Sequence, residues 1–410
     1  MPMAASRLRV AVSPLRRDVA PRDVAFALPT VDAAVAALRP EEPMHCLRPQ
    51  AIVAAARSFV AAFAGRTLYA VKCNPDPRVL SALWRGGVRA FDCASPAEIA
   101  VVRQVLPEAS IHYMHPVKAR SAIRSAIENG VRDFAFDSED ELEKILAESG
   151  SPEDLGLILR IALPKGKAAL DLSGKFGASP DEAPALLARA RLHARRLGLS
   201  FHVGSQCADP ATWRESMALA GNIAVAAGVK LDVLDVGGGF PSAYPGDDLP
   251  ALAAFMAEID GAFEALVERL GTLAPTELWA EPGRALVAQG VSVVVQVQAR
   301  REGSLYVNDG VYGSLSDAGT LGWRYPVRLV RPSDVGAKSF TLFGPTCDSL
   351  DRMDGGFLLP DDVAEGDWIE IGQLGAYGAS LRTAFNGFDR GHLVEVSDPP
   401  LLTTPGYAVV

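Results

Sequence analysis

The chain is short of cysteine and histidine, has no surplus of basic charge and no long apolar run, and each shortage removes a class of protein. Its five cysteines, Cys46, Cys73, Cys93, Cys207 and Cys347, are scattered, odd in number and never spaced CxxC. That argues against both a disulfide framework and a structural zinc site. Six histidines form no HExxH and no clustered ligand set, so no metal is expected. No stretch reaches the roughly eighteen uninterrupted apolar residues that a membrane helix needs. The start, Met1 to Asp18, lacks a signal-peptide core, so a cytoplasmic protein without membrane contact is expected. Forty Lys and Arg stand against 49 Asp and Glu, a formal net charge of -9, which gives no field to attract nucleic acid. Small neutral or cationic ligands suit such a chain better than polyanions.

What the chain does have is length and alternation. Its 410 residues, 49% hydrophobic, are enough for a large core and for two domains or one barrel with an appendage. From about Pro49 to Glu281, short apolar runs alternate with alanine-rich amphipathic stretches. The runs are "TLYAVK", "RAFDC", "IHYMH", "DFAFD", "LGLILRIA", "LSFHVG", "LDVLDVGG" and "TELWAEPG". Between them, "SPAEIAVVRQVL" opens with a capping box from Ser95 and Glu98, and "SEDELEKILAESG" closes on a glycine. Eight strands with crossover helices predict a (β/α)8 barrel, whose chemistry gathers at the carboxyl ends of the strands. Polar or glycine residues stand at all eight ends: Lys72, Asp92, His115, Asp137, Arg160, His202, Gly237 and Glu281.

After Arg284 the pattern turns to strand-like runs punctuated by glycine and proline, which predicts a separate all-β domain. The expected division is an N-terminal segment, 1–44, adding to the β-domain, a barrel over 45–285 and a β-domain over 286–410.

Several motifs carry chemistry. Lys72 in "LYAVKCNPDP" would alone read as a solvated ammonium closing a strand. "DVGGGFP" ends a strand with Gly237, Gly238 and Gly239, letting backbone N–H groups approach an anion; as it is not GxGxxG, one phosphate is a more economical ligand than a dinucleotide. In "AEPGR", Glu281 and Arg284 could simply pair, or could divide between a pyridine nitrogen and a phosphate. In "HVGSQ", the His202 ring could stack on a flat cofactor while Ser205 donates to phosphate, though a structural histidine reads equally well. Cys347 in "GPTCDSLD" lies in a glycine- and proline-bounded loop, which favours an exposed, reactive thiol over a buried one. Together, an amine, a phosphate cradle, a carboxylate for a ring nitrogen and a stacking histidine describe a pyridoxal phosphate site.

From about residue 67 to 389 the chain resembles the ornithine decarboxylase family, within the alanine-racemase-like (fold type III) pyridoxal phosphate enzymes. The likeness runs in order through "YAVKCN", "FDCAS", "FDSEDEL", "LRIA", "KFGA", "FHVGSQ", "LDVGGGFP", "AEPGR", "YVNDGVYGS", "GPTCDSLD", "GAYGAS" and "FNGF". The resemblance implies a barrel plus β-domain and a head-to-tail homodimer whose two sites borrow residues from the partner. It implies Lys72 as the Schiff-base lysine, His202 stacked on the ring and Glu281 at the pyridine nitrogen. Ser205, Gly237 to Gly239, Gly283, Arg284 and Tyr377 would hold the phosphate, with Asp92, Glu98 and Arg160 as polar support. Cys347 would protonate Cα from the second subunit, while Asp348, with Tyr312, would meet the substrate's distal amine. Lys175 and Asp351 would form a salt bridge across the interface.

Two positions depart from the family pattern. Gln206 stands where "HVGSG" has glycine, and counting puts Leu321 where eukaryotic members carry an aspartate for the distal ammonium. Asp317, from a shifted loop, is the candidate replacement, or else a helix cap or turn residue. The implied reaction is decarboxylation of a basic amino acid, L-ornithine to putrescine and CO2, with L-lysine the nearest competitor. Diaminopimelate, arginine or carboxynorspermidine decarboxylation fit less well. A racemase would want an arginine at the ring nitrogen where Glu281 stands. A noncatalytic, partner-binding homologue would be expected to have lost cofactor residues that are all present here.

Overall fold

A computed structural model describes residues 13–14, 28–164, 174–320 and 322–405. They form two compact units. Ile52–Ala243 with Asp248–Leu286 make the first; the second collects the described residues up to Ala51, Tyr244–Asp247 and those from Val287 onward.

The first unit is a closed barrel of eight parallel strands. In chain order these are β1 (Arg66–Ala70), β2 (Ala90–Cys93), β3 (Ser110–Tyr113), β4 (Asp133–Phe136), β5 (Gly156–Arg160), β6 (Arg196–Ser200), β7 (Val233–Asp235) and β8 (Glu277–Ala280). Closure comes from β8 lying beside β1, with Trp279 opposite Arg66 and Ala280 opposite Thr67. Parallel strands in a barrel are covered on both faces, which is why these runs are apolar without interruption. Leu68, Ala90, Met114, Ala135, Ile158, Val233 and Trp279 form one buried cluster. Gly198 on β6 keeps room for it, since a Cβ there would lie 2.5 Å from Ile158 Cδ1. At the amino ends of the strands, His112 Nδ1 lies 3.1 Å from Asp133 Oδ2, whose other oxygen accepts from Arg196. This plug leaves the opposite rim for chemistry.

Helix Pro96–Val105 follows β2 as its capping sequence predicts. Ser95 Oγ accepts from the Glu98 N–H, while the Glu98 carboxylate reaches one residue further than a standard capping box, to the Ala94 N–H at 2.7 Å. Helix Glu139–Ser149 is capped by Ser138 and stopped by Gly150 in the left-handed region, φ 70°.

The second unit is a mixed sheet. Along its main path Ser13–Pro14, His392–Glu395, Met44–Leu47, Val291–Arg301, Ser304–Val307, Ala337–Phe343 and Arg352–Pro360 are neighbours, and Trp368–Ile371 pairs both Val291–Arg301 and Val327–Leu329. Its division from the barrel differs from the expected one. Residues 45–51 go with the sheet, because Met44–Leu47, buried throughout, is sandwiched between His392–Glu395 and Val291–Arg301. Tyr244–Asp247 joins it too, because buried Tyr244 packs on Trp323 and Tyr325 with ring centroids 5.4 Å apart in each case. Among the described residues no helix is long and apolar enough to cross a membrane.

Candidate active site

The carboxyl rim of the barrel brings most of the expected residues together. Lys72 sits two residues past β1 on the single turn Val71–Cys73. Its Nζ lies 3.3 Å from Asp92 Oδ2, and the side chains are 44% and 3% exposed respectively, so an accessible amine is anchored on a buried carboxylate. Glu98 stands behind this pair, its carboxyl raised by burial and by Asp92 and lowered by the Ala94 N–H and Lys72.

Glu281, one residue past β8, is half-buried, and desolvation together with Asp235 and Asp92 holds its carboxyl well above the usual range, against the pull of Lys72 and Arg160. Asp235, the last residue of β7, is pushed up to about 7 by burial, although its Oδ1 accepts the Gly237 N–H at 2.8 Å. Its Oδ2 makes no hydrogen bond among the described residues, but Glu281 lies close enough to interact with it electrostatically. Two neighbouring carboxyls, one of them fully buried, cannot both ionise cheaply, which favours keeping a proton on the pair in the absence of a cation. A pyridinium N–H is such a cation. Sequence reasoning quoted Asp235 as the start of a motif and missed this role; an Asp two residues before a glycine at a strand end was the available signal.

His202 lies two residues past β6. Its Nδ1 accepts the Gly204 N–H at 3.0 Å, so in the neutral ring the proton is on Nε2. Burial first, then Arg160 and Lys72, lowers its pKa well below the ordinary value, leaving an uncharged flat ring. A Cβ at Gly238 would lie 3.0 Å from His202 Nε2 and 2.7 Å from Glu281 O, so only glycine lets this turn pass beneath the ring. Gly237 and Gly239 have φ of 66° and 101°. The N–H groups of Gly238 and Gly239 find no hydrogen-bond partner among the described residues. Gly283 is likewise cramped, its would-be Cβ 3.1 Å from that of Cys73, and the preceding Pro282 carbonyl accepts from Ala70 N–H, tying the ends of β8 and β1. Buried Arg284 opens the short helix that follows. Arg160 closes β5 with its guanidinium 5.6 Å over the Phe176 ring. Amine, unpartnered N–H groups, neutral imidazole and a protonatable carboxyl pair are the donor set that pyridoxal phosphate needs at its aldehyde, phosphate, ring face and ring nitrogen.

Most of the remaining residues lie in the β unit. Cys347 is exposed and donates its N–H to Asn386 Oδ1 at 3.0 Å. Asp348 accepts from the Leu350 N–H and from the Tyr312 hydroxyl, which hold it below the usual carboxylate range. Tyr312 packs against Phe385, ring centroids 4.9 Å apart, and its loop is set by Asp309, whose carboxylate accepts from Gly310 and Ser314 N–H and pairs with Arg382. Phe385 and Asp309 were not singled out from sequence. Asp351 is 2% exposed and accepts from Val311 N–H and from the Thr346 N–H and hydroxyl. Lys175 is exposed in the barrel unit, 4.8 Å over Phe176. Asp317 is in the first turn of Ser316–Thr320, and Leu321 lies outside the described residues. Tyr377 takes a φ of 62°. Among the described residues no group of three or more His, Cys, Asp or Glu could hold a metal ion.

Comparison with known proteins agrees with this chemistry. Residues 50–288 match the pyridoxal binding domain of the pyridoxal-dependent decarboxylases and residues 285–375 match their C-terminal sheet domain. The chain is 36% identical over 346 residues to an ornithine decarboxylase of Panagrellus redivivus, covering 78% of each. It is 33% identical over 344 residues to a lysine/ornithine decarboxylase of Selenomonas ruminantium, covering 81% of this chain and 84% of that one. A solved arginine decarboxylase of Paramecium bursaria Chlorella virus superposes with a TM-score of 0.79 at 28% identity, over 89% of this chain and 99% of that one.

Proposed function

The chain belongs to the pyridoxal-dependent decarboxylase family, and from that premise we propose that it decarboxylates a basic amino acid, L-ornithine to putrescine and CO2 being the leading reaction and L-lysine the nearest competing substrate. The observation that carries the proposal is Lys72 on Asp92 at one barrel rim with the buried Asp235 and half-buried Glu281 carboxyls. When bound, pyridoxal phosphate supplies an electron sink for the pair released as CO2 leaves Cα. Lys72 would hold the cofactor through its aldehyde carbon. Glu281 keeps the proton on the ring nitrogen, and without that proton the sink is weak. His202, uncharged, covers a ring face; Ser205, Gly237 to Gly239, Gly283, Arg284 and Tyr377 hold the phosphate. Cys347 returns a proton to Cα, and Asp348, kept ionised and oriented by Tyr312, receives the distal ammonium. Asp317 is the second candidate for that contact. A noncatalytic, partner-binding role would not require this set of residues to be kept together.

Cys347 and Asp348 are proposed to serve the barrel of a second copy in a head-to-tail homodimer. Mixing Lys72→Ala with Cys347→Ala protein tests this. Each variant is inactive alone, but random exchange makes half of the dimers mixed, each with one intact site, so about a quarter of wild-type activity returns. A mixture that stays silent after exchange contradicts the shared site. Substrate assignment rests on separate assays: putrescine from L-ornithine supports the leading reading, and preferred cadaverine from L-lysine places the specificity in residues 315–325.

A further inference from the structure

Gln206 is a non-glycine residue with φ 56°, in the left-handed region that residues with a Cβ avoid unless their surroundings compel it. The compulsion is visible. Its side-chain Nε2 donates to Ser242 O at 2.9 Å and its Oε1 accepts the Ser242 N–H at 2.7 Å, so one amide satisfies both backbone groups of a residue 36 positions away. Next to it, the Cys207 N–H donates to Gly239 O at 3.0 Å. These three bonds join the loop after β6 to the loop after β7.

The two loops are packed backbone on backbone. A Cβ at Gly237 would lie 2.0 Å from Phe201 O, and one at Gly239 would lie 2.4 Å from Gly204 O. Val203 Cγ2 lies 2.6 Å from the same Gly239 position and His202 Nε2 3.0 Å from that of Gly238, so these contacts and the hydrogen bonds together set the separation. One loop carries Ser205; the other carries the N–H groups of Gly238 and Gly239.

We propose that Gln206 is a positioning residue for the cofactor phosphate, its amide clasping Ser242 so that Ser205 and the glycine turn stay at the spacing one phosphate bridges. The inference rests on the functional reading above, which assigns both loops to pyridoxal phosphate. It also accounts for glutamine at a position where the "HVGSG" pattern has glycine. Glycine would enter the left-handed conformation freely but would lose both bonds to Ser242, leaving the Cys207–Gly239 bond at this corner, whereas glutamine accepts the conformation in exchange for two directed bonds.

The test is a binding titration with apo protein and two probes, pyridoxal phosphate and unphosphorylated pyridoxal, followed by absorbance. Gln206→Gly adopts the backbone without strain, and Gln206→Glu keeps the acceptor for Ser242 N–H while losing the donor. Losing the clasp is expected to weaken pyridoxal phosphate binding about tenfold in the glycine variant, with a smaller loss in the glutamate one. Pyridoxal binding and the apo melting temperature should be unchanged in both. Equal loss for the two probes, or no loss for either, overturns the inference. A wild-type protein that binds neither probe through Lys72 overturns the functional reading itself, whereas a phosphate preference unchanged in the variants overturns only the role of Gln206.

Discussion

Lys72→Ala abolishes amine release, by on the order of 10⁴-fold or more, because among the described residues no other amine is placed to do its work. Lys118, also on the barrel unit, is fully buried; its Nζ is bound to Glu141 and to the carbonyls of His115 and Ala135, and burial lowers its pKa to about 8. Lys175 lies over Phe176 in an exposed loop. Borohydride reduction of protein incubated with pyridoxal phosphate should fix the label on Lys72 in the wild type and leave the variant unlabelled. A variant that keeps full turnover would end the assignment.

Glu281→Gln should have opposite effects on activity and on the stability of the cofactor-free protein. Losing the carboxylate that holds the ring-nitrogen proton costs about 10²- to 10³-fold in turnover, the scale seen when one preorganised electrostatic contact is removed. The apo protein behaves differently. Asp235 is raised from 3.8 to about 7 in the folded state, and Glu281 is raised as well, so between roughly pH 4 and pH 7 the folded chain binds more protons than the unfolded one. Stability from this pair is therefore present at low pH and is lost as pH rises through that window, by about 1.4 kcal/mol per pH unit for each proton. Replacing Glu281 with a neutral amide removes the repulsion. The variant's melting temperature should fall less than that of the wild type between pH 5 and pH 8. A steeper fall in the variant would contradict the proton-sharing pair.

The barrel was legible in the sequence because strands buried on both faces must be apolar throughout, and each then stops at a residue the rim can use. Lys72, Asp92, His202 and Glu281 were found this way. The β unit was less legible, because its pairings are long-range: nothing local in "MHCL" says that it lies between Val291–Arg301 and His392–Glu395. Arg352–Pro360 was missed because an aspartate and two glycines break its pattern, and its pairing with Ala337–Phe343 supplies what local propensity does not. At the site, Gln206 stood out as a departure, but its meaning required the φ angle and Ser242. Asp235 carried a local signal in its place before a glycine at a strand end, but its partnership with Glu281 depends on β7 and β8 being neighbours.

The most direct test of the central claim is product analysis of the purified, pyridoxal phosphate-loaded protein offered L-ornithine, L-lysine, L-arginine, meso-diaminopimelate, L-2,4-diaminobutyrate and D-ornithine separately. The account predicts CO2 and the corresponding amine from a basic L-amino acid, putrescine from L-ornithine foremost, and none with Lys72→Ala. A loaded protein that releases no amine from any of the six would contradict it and favour a noncatalytic, partner-binding role.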